Sequence, residues 1–481
     1  MSYKTVVYFG TLFCSIFAAA AVLAGCAAIP ALKASQSLKP VQDYQASRSL
    51  SGSKTAWPQE RWWESYADPQ LSGLIEEALK GSPDLAAAGA RLRRAEAYQN
   101  VAGAALQPQL GARAALDYDT LSYNYLTPRA MTPNGWNDYG IVSLNLDWEI
   151  DFWGKNRARL AAATSQLRAG EAEFAEARLL LASTVAAEYA DLAQLFSLRD
   201  LVSRSAALRT TTVRLFDERF ANGMETKGSV HQARARLAAI EGELQVLDER
   251  IGLKRNRLAA LLGAGPDRGL SIARPTIKIA DALGLPRDLA ADLLGRRPDV
   301  CAARLMAEAQ AERIKEKRAA FYPNVNLAAF FGFQSLGLDH LVRSGSSIGG
   351  FGPAISLPIF TGGRLTGELR GALAEYDAAV ALYNGTVTRA LQEVADVGLS
   401  GKALAGELVS AQAAVEAAGE AHRVVDARYR GGLATYLEVL SAEDILLDTQ
   451  RNLVQLRSRT FTLDVALQRI LGGGYREKTT L

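Results

Sequence analysis

Two stretches of this chain share one pattern, and that duplication constrains the fold more than any other feature. RYRGGLATYLEVLSAEDIL, Arg428 to Leu446, matches RFANGMETKGSVHQARARL, Arg219 to Leu237. Each puts an Arg and an aromatic at the end of an amphipathic run, then Gly, then Thr and a second run. Gly accepts the left-handed residue that stops a helix, and Thr caps the next one. Each copy therefore predicts a helical hairpin, with tips at Gly223 and at Gly431 and Gly432. Pro83-Asp84-Leu85 pairs with Pro298-Asp299-Val300, and Pro108 with Pro323, at an offset of 215. Gly154 pairs with Gly362 at 208, and Arg219 with Arg428 and Gly263 with Gly472 at 209. About seven residues are thus missing from the second copy between Pro323 and Gly362, in what reads as a loop between strands.

The expected organisation follows from these matches. Repeat 1 covers 83–265 and repeat 2 covers 298–474; 26–82 precedes them, 266–297 joins them and 475–481 is a tail. Each repeat opens with a helix whose Pro and acid suit a helix start, at 83–106 and 298–321. Period-two segments follow, forming β-hairpins at about 108–151 and 323–360: Leu110, Ala112, Ala114, Leu116 and Tyr118 fall on one face, with Gly111, Arg113 and Asp117 on the other. Trp136, Tyr139, Trp148, Phe152 and Trp153 near the strand ends suit membrane interfaces. Long helices then run to Arg219 and Arg428. Phe174, Leu181, Val185, Leu192, Leu195 and Val202 recur at close to 3.5 residues, a coiled-coil period over a helix ~100 Å long. Return helices at about 225–262 and 434–471 are shorter, and each is expected to stack end to end on the opening helix of its own repeat.

The beginning of the chain supplies a compartment. Lys4 precedes an apolar run that ends in Leu23-Ala24-Gly25-Cys26, as in a secretory leader. That tetrapeptide resembles the lipobox of bacterial lipoproteins, which implies cleavage of 1–25 and a lipid on Cys26. Residues 27–47 then read as a polar tether. Cys301 is the one ordinary thiol left, so no internal disulfide can form. Ala27, where an Asp would favour the inner membrane, points to the outer membrane. A net charge of +3 over 481 residues carries no bulk signature of nucleic-acid binding.

Four membrane-length strands cannot close a barrel, and an open sheet edge has no water to bind inside a bilayer. Two or three chains must pool strands, and only twelve strands leave an aqueous lumen. ERWWESYADPQLSGLIEEAL, the PDL and RRPDV helix starts, the two Gly-centred hairpins and the lipobox together resemble the TolC-like outer-membrane efflux family. The likeness is to its lipoprotein (NodT-type) branch, which serves resistance-nodulation-division pumps. It implies a mainly α chain with a membrane β-barrel portion: a homotrimer with a twelve-strand barrel and a twelve-helix coiled-coil tunnel. It also implies an exit duct that works with a periplasmic adaptor and an inner-membrane transporter. The tunnel mouth would be an iris of second-repeat helices, and no cofactor is expected beyond the lipid.

Candidate gate residues follow from the offset. Glu438 corresponds to Ser229, so the second hairpin alone carries an acid there, expected about one and a half turns into its helix; Tyr436, Glu443 and Asp444 are its neighbours. Threefold symmetry would bring three Glu438 carboxylates around one axis, whereas a solvated or adaptor-facing Glu is the other reading. An enzyme is not indicated. Gly345-Ser346-Ser347-Ile348-Gly349 matches a nucleophile elbow, but with a loop before it and a strand after it, the reverse of the order an elbow needs. Neither Cys nor i,i+4 spacing accompanies His231, His340 and His422, so no metal site is expected. A non-conducting, lipid-anchored coiled-coil scaffold is the alternative, and it leaves the four alternating segments without a role.

Overall fold

The computed structural model describes residues 29–40, 43–44, 56–124, 126–277 and 295–477. The leader, Cys26 and most of the segment joining the repeats lie outside them. Among the described residues the helices are α1 (Pro69–Gly81), α2 (Pro83–Ala104), α3 (Lys155–Ala221), α4 (Lys227–Leu261), α5 (Pro266–Leu270), α6 (Pro298–Ala319), α7 (Arg364–Arg430) and α8 (Tyr436–Ile470). The strands are β1 (Gln109–Asp119), β2 (Asn137–Glu149), β3 (Asn324–Leu336) and β4 (Ser347–Ser356). The β1–β2 connection is residues 120–136 and the β3–β4 connection 337–346, and the seven-residue difference between the repeats falls there. Ser347 opens β4, so the elbow-like sequence is a loop running into a strand.

The four strands form one antiparallel sheet in chain order, with β2 and β3 pairing across the two repeats. Directly opposed residues share a face, so the register sorts the side chains. Leu110, Leu146, Ala329 and Phe351 line up in one row, and Ala112, Leu144, Phe331 and Gly349 in the next. Gly111, Asn145, Phe330 and Gly350 form the intervening row, and Arg113, Asp117, Asp147, Asn326 and Gln334 share that opposite face. One face is thus apolar over most of its length, with Asp138, Ser335 and Ser347 at its loop end, and the other is mixed and polar. Leu110, Leu116, Phe331 and Phe351 are each more than half exposed. The outer edges of β1 and β4 pair with no other strand of the sheet.

Among the described residues, those within 29–38, 93–169 and 303–383 form one compact unit, and those within 39–92, 170–302 and 384–477 form the other. Both units draw on both repeats, because each repeat's long helix continues from one unit into the next. In the first unit α2 and α3 are antiparallel neighbours, Gln99 reaching Thr164 (3.4 Å) and Gly103 lying against Leu160. In the second, α4 returns along α3: Arg234 pairs with Asp217 (2.9 Å), Arg199 with Asp248 (2.5 Å), and Lys254 with Glu188 and Asp191 (2.7 Å each).

The expected end-to-end joints are present. A Cβ on Gly263, just beyond α4, would collide with the carbonyl of Gly81 and touch Pro83, where α2 starts. Gly472, just beyond α8, meets the carbonyl of Arg296 in the same way, ahead of α6. Glycine is required at both, since each also has a positive φ (+74° and +86°).

The second unit has a core that the repeat pattern did not outline. Trp62, Trp63, Tyr66, Leu71, Leu74 and Ile75 pack on Val185, Tyr189 and Leu192 of α3, Leu258 of α4, and Phe461 and Val465 of α8. Asp68 fixes the entry to α1, accepting from the Gln70 and Leu71 N–H groups, the Tyr189 hydroxyl, and the N–H and hydroxyl of Thr276. A carboxylate so buried persists because its lone pairs are occupied. The RRPDV sequence makes a second anchor. Buried Arg297 donates to Asp299, to Glu393 (2.8 Å) and to the Ile470 carbonyl at the end of α8. Burial, reinforced by Asp299, raises the Glu176 carboxyl beside it.

Candidate functional site: the helical hairpin tips

The two tips share their backbone hydrogen bonds. Gly223 N–H donates to Phe220 O (3.0 Å) and Met224 N–H to Arg219 O (2.8 Å); Gly432 N–H donates to Tyr429 O (3.0 Å) and Leu433 N–H to Arg428 O (2.8 Å). Both are Schellman closures with Gly at positive φ, +69° and +73°. In the second tip that residue is Gly432; Gly431 keeps an ordinary φ. Thr226 and Thr435 then cap α4 and α8 as expected, their hydroxyls accepting from Ser229 N–H (3.1 Å) and Glu438 N–H (3.4 Å).

Glu438 is not one and a half turns into its helix, because α8 begins at Tyr436 and Glu438 is its third residue. Its Oε1 accepts from the Thr435 N–H (3.2 Å) and hydroxyl (3.1 Å), completing a capping box. Thr-x-x-Glu is itself the sequence signature of that box, so its place was available from the residues alone.

Behind the tips lies an aromatic plug. Phe216 meets Tyr436 edge to face at 4.3 Å, Tyr429 lies 5.9 Å from Tyr436, and Arg219 sits over the Tyr429 ring and donates to its hydroxyl (3.1 Å). Burial, then the Glu443 carboxylate, pushes the Tyr436 phenol up to about 12, so it remains a neutral hydrogen-bonding group near neutral pH.

Farther along the helices, Glu443 and Asp444 are brought together with two arginines that sequence reasoning had not singled out. Arg209 of α3 donates to Glu443 (3.3 Å) and Asp444 (2.9 Å), and Arg236 of α4 donates to Asp444 (2.8 Å). Ser205 adds a bond to Glu443 (3.2 Å). The Arg209 and Glu443 side chains keep only 9% and 10% exposure, whereas Asp444 keeps 46%. Two cations thus balance two anions across three helices. At the offset of 209 these four residues fall on Ala418, Ile445, Arg234 and Ala235. The cluster therefore has no counterpart at the related position of the duplicated fold, and the repeat could not reveal it.

The tips also present apolar side chains to solvent. Met224 and Leu433, equivalent under the repeat, each follow the left-handed Gly and are 61% and 73% exposed; Leu437 is 63% exposed. At the strand ends, Trp136 stacks on Tyr118, and Trp153 stacks on Tyr322 and donates to the Pro323 carbonyl (2.8 Å). Trp148 lies in a row of the apolar face, opposite Leu327, but Tyr139 belongs to the polar face, opposite Asp117.

Comparison with known proteins places this architecture. The sequence model of a family described as outer membrane efflux protein matches residues 74–264 and 289–473. The multidrug resistance outer membrane protein MdtP of Escherichia coli K12 is 32% identical over 473 residues, 97% of this chain and 96% of that one. The fusaric acid resistance protein FusA of Burkholderia cepacia is 34% identical over 371 residues, 76% of this chain and 70% of that one. Among solved structures, the outer membrane protein VceC of Vibrio cholerae superimposes with a TM-score of 0.82 at 48% identity, covering 87% of this chain and all of that one. The outer-membrane channel OprN gives 0.80 at 28%, covering 92% and 97%.

Proposed function

We propose, from the premise that this chain belongs to the outer membrane efflux protein family, that three copies of it form the outer-membrane exit duct of a tripartite efflux system. The observation that carries this reading is the sheet: one apolar face, one polar face, and two edges without a partner strand. A bilayer offers such edges nothing, so they must meet the edges of other copies. Twelve pooled strands put the apolar face toward lipid and the polar face toward a water-filled lumen. The four helical segments each copy contributes extend that lumen as a twelve-helix tunnel in the periplasm.

The duct conducts passively and performs no chemistry, and energy comes from an inner-membrane transporter of the resistance-nodulation-division type. A periplasmic adaptor bridges the two, and the exposed Met224, Leu433 and Leu437 at the tips suit an apolar seat for it. Cys26 carries the lipid. The mouth closes by α7 and α8, with α8 held to α3 and α4 by the bonds of Arg209 and Arg236 to Glu443 and Asp444, while three Glu438 carboxylates at the rim attract cations. Single-channel recording tests this reading against a non-conducting scaffold. The duct inserts conducting, heat-modifiable oligomers into planar bilayers; a lipid-anchored protein that inserts nothing conductive would be the scaffold.

A further inference from the structure

Arg113 is the only basic residue on the polar face of the sheet among the described residues. It is the fifth of the eleven residues of β1, midway between the helices and the loops. It is exposed and forms no ion pair among the described residues. Ser143 lies directly opposite it, with Ile141 and Asn145 on the diagonals, so no cross-strand neighbour is an acid. The nearest carboxylates on that face are Asp117, toward the loops, and Asp147, opposite Gln109 and toward the helices. Each is displaced four residues along the strand, ~13 Å. That exceeds the screening length of ~8 Å at physiological salt, so neither acid neutralises the guanidinium. β1 is also an outer edge of the sheet. In a closed barrel it joins β4 of another copy, whose polar-face residues are Ile348, Gly350, Gly352, Ala354 and Ser356. None of these offers a carboxylate, whatever the register of the joint. Apolar surface lies on the same face at the same level. Ile348 shares the row of Arg113 through Ser143 and Gly332, and Ile141 stands one row nearer the loops. Phe330, 45% exposed, leans over Gly350, where a Cβ would meet its ring at 2.9 Å.

We propose that the three Arg113 side chains of the barrel form a mid-lumen ring that binds amphiphilic organic anions. A carboxylate or sulfate sits on the guanidinium, and the apolar body attached to it lies on Ile141, Phe330 and Ile348. The ring rests on the reading of three copies as one shared barrel. Rings of basic side chains favour anions in pores. Here an inorganic anion gains only the charge, whereas an amphiphile also removes apolar surface from water. Gly350 and Gly352 add no side chain on this face, which leaves room for such a body beside the ring. Toward the helices, Glu149 is already paired with Lys155 (2.5 Å), so it does not offset the ring from below.

The test records full-length protein in planar bilayers, with octanoate as the probe and octyltrimethylammonium as a cation of similar apolar length. Arg113→Gln should raise the octanoate concentration for half-block ~10-fold, the factor for losing one charge-assisted hydrogen bond. It should leave block by the cation unchanged and shift the reversal potential in a KCl gradient toward stronger cation preference. Arg113→Lys keeps the charge and should stay close to wild type on both counts. Ile348→Ser should weaken octanoate block without moving the reversal potential, since only the apolar seat is altered. Equal octanoate block in wild type and Arg113→Gln, in channels that conduct normally, would overturn the ring and leave the duct standing. An Arg113→Gln channel that loses block by both probes alike would also overturn it, because pore shape rather than an anion site would then have changed. Unaltered block in Ile348→Ser would overturn the apolar seat. Wild-type protein that inserts nothing conductive would overturn the shared barrel and the ring with it.

Discussion

Arg209 is where a single substitution should do most to the closed mouth. Its bond to Glu443 joins two side chains with 9% and 10% exposure, whereas both bonds to Asp444 end on a group 46% exposed. Removing one partner of a buried pair strands the other and costs about 3–5 kcal/mol. A solvent-screened pair contributes about 0–1 kcal/mol. Arg209→Met therefore withdraws at least about 3 kcal/mol from the arrangement joining α8 to α3, which corresponds to ~100-fold in a closed-to-open ratio. Arg236→Met removes only the screened bond and shifts that ratio less than ~10-fold. Single-channel recordings should show Arg209→Met dwelling in levels of higher conductance, with Arg236→Met close to wild type. Arg209→Met combined with Glu443→Leu should recover chain stability, because no buried charge is then left alone, while remaining open. An Arg209→Met protein that assembles normally and conducts as wild type, or two single variants that open equally, would show that the Arg209–Glu443 pair does not hold the mouth closed.

Three further outcomes follow from the same structure. Glu438→Gln keeps an acceptor for the Thr435 N–H and so preserves the capping box; bilayer selectivity should lose part of its cation preference, and unchanged selectivity would remove Glu438 from the rim. Asp151 accepts from the Arg157 and Asn156 N–H groups at the start of α3 and from the Arg157 side chain, and these bonds outweigh burial to hold its carboxyl below the ordinary range. With the folded value depressed, this cap stabilises fully above the unfolded Asp value and is lost as pH falls through the folded one. Hydrogen-exchange protection of the first turn of α3 should thus persist until the pH is below the ordinary carboxylate range, and Asp151→Asn should flatten that dependence. Metabolic palmitate should label the wild-type chain and not Cys26→Ser, and equal labelling of both would place the lipid elsewhere.

The sequence made the local features visible and left the distant partnerships hidden. Strand period, helix period and the stop signals at Gly223, Gly263, Gly432 and Gly472 act within a few residues, and the duplication let each be checked against its copy. Trp62, Trp63, Tyr66 and Leu71 stand outside both repeats, so no second copy flagged them as core. The described part of the expected tether lacks periodicity altogether, yet it is docked, its Ser35 bonding Asp377 more than three hundred residues away. The partners of Glu443 and Asp444 are equally remote, and only three-dimensional packing shows that these acids are spoken for by arginines. Glu438 differs: its place in a capping box is written locally in Thr-Tyr-Leu-Glu, because the box needs only the cap residue and the third residue of the helix.

A barrel shared among copies requires β1 of one chain to join β4 of the next, and cysteine cross-linking along those two edges reads that joint. A set of variants pairs one cysteine in β1, from Leu110 to Tyr118, with one in β4, from Ser347 to Ile355, in membranes from cells making full-length protein. If the sheet is shared among three copies, some pairs will oxidise to a ladder that ends at three chains, in heat-modifiable particles that still conduct. Conducting particles in which no β1–β4 pair links one chain to another would contradict the shared barrel.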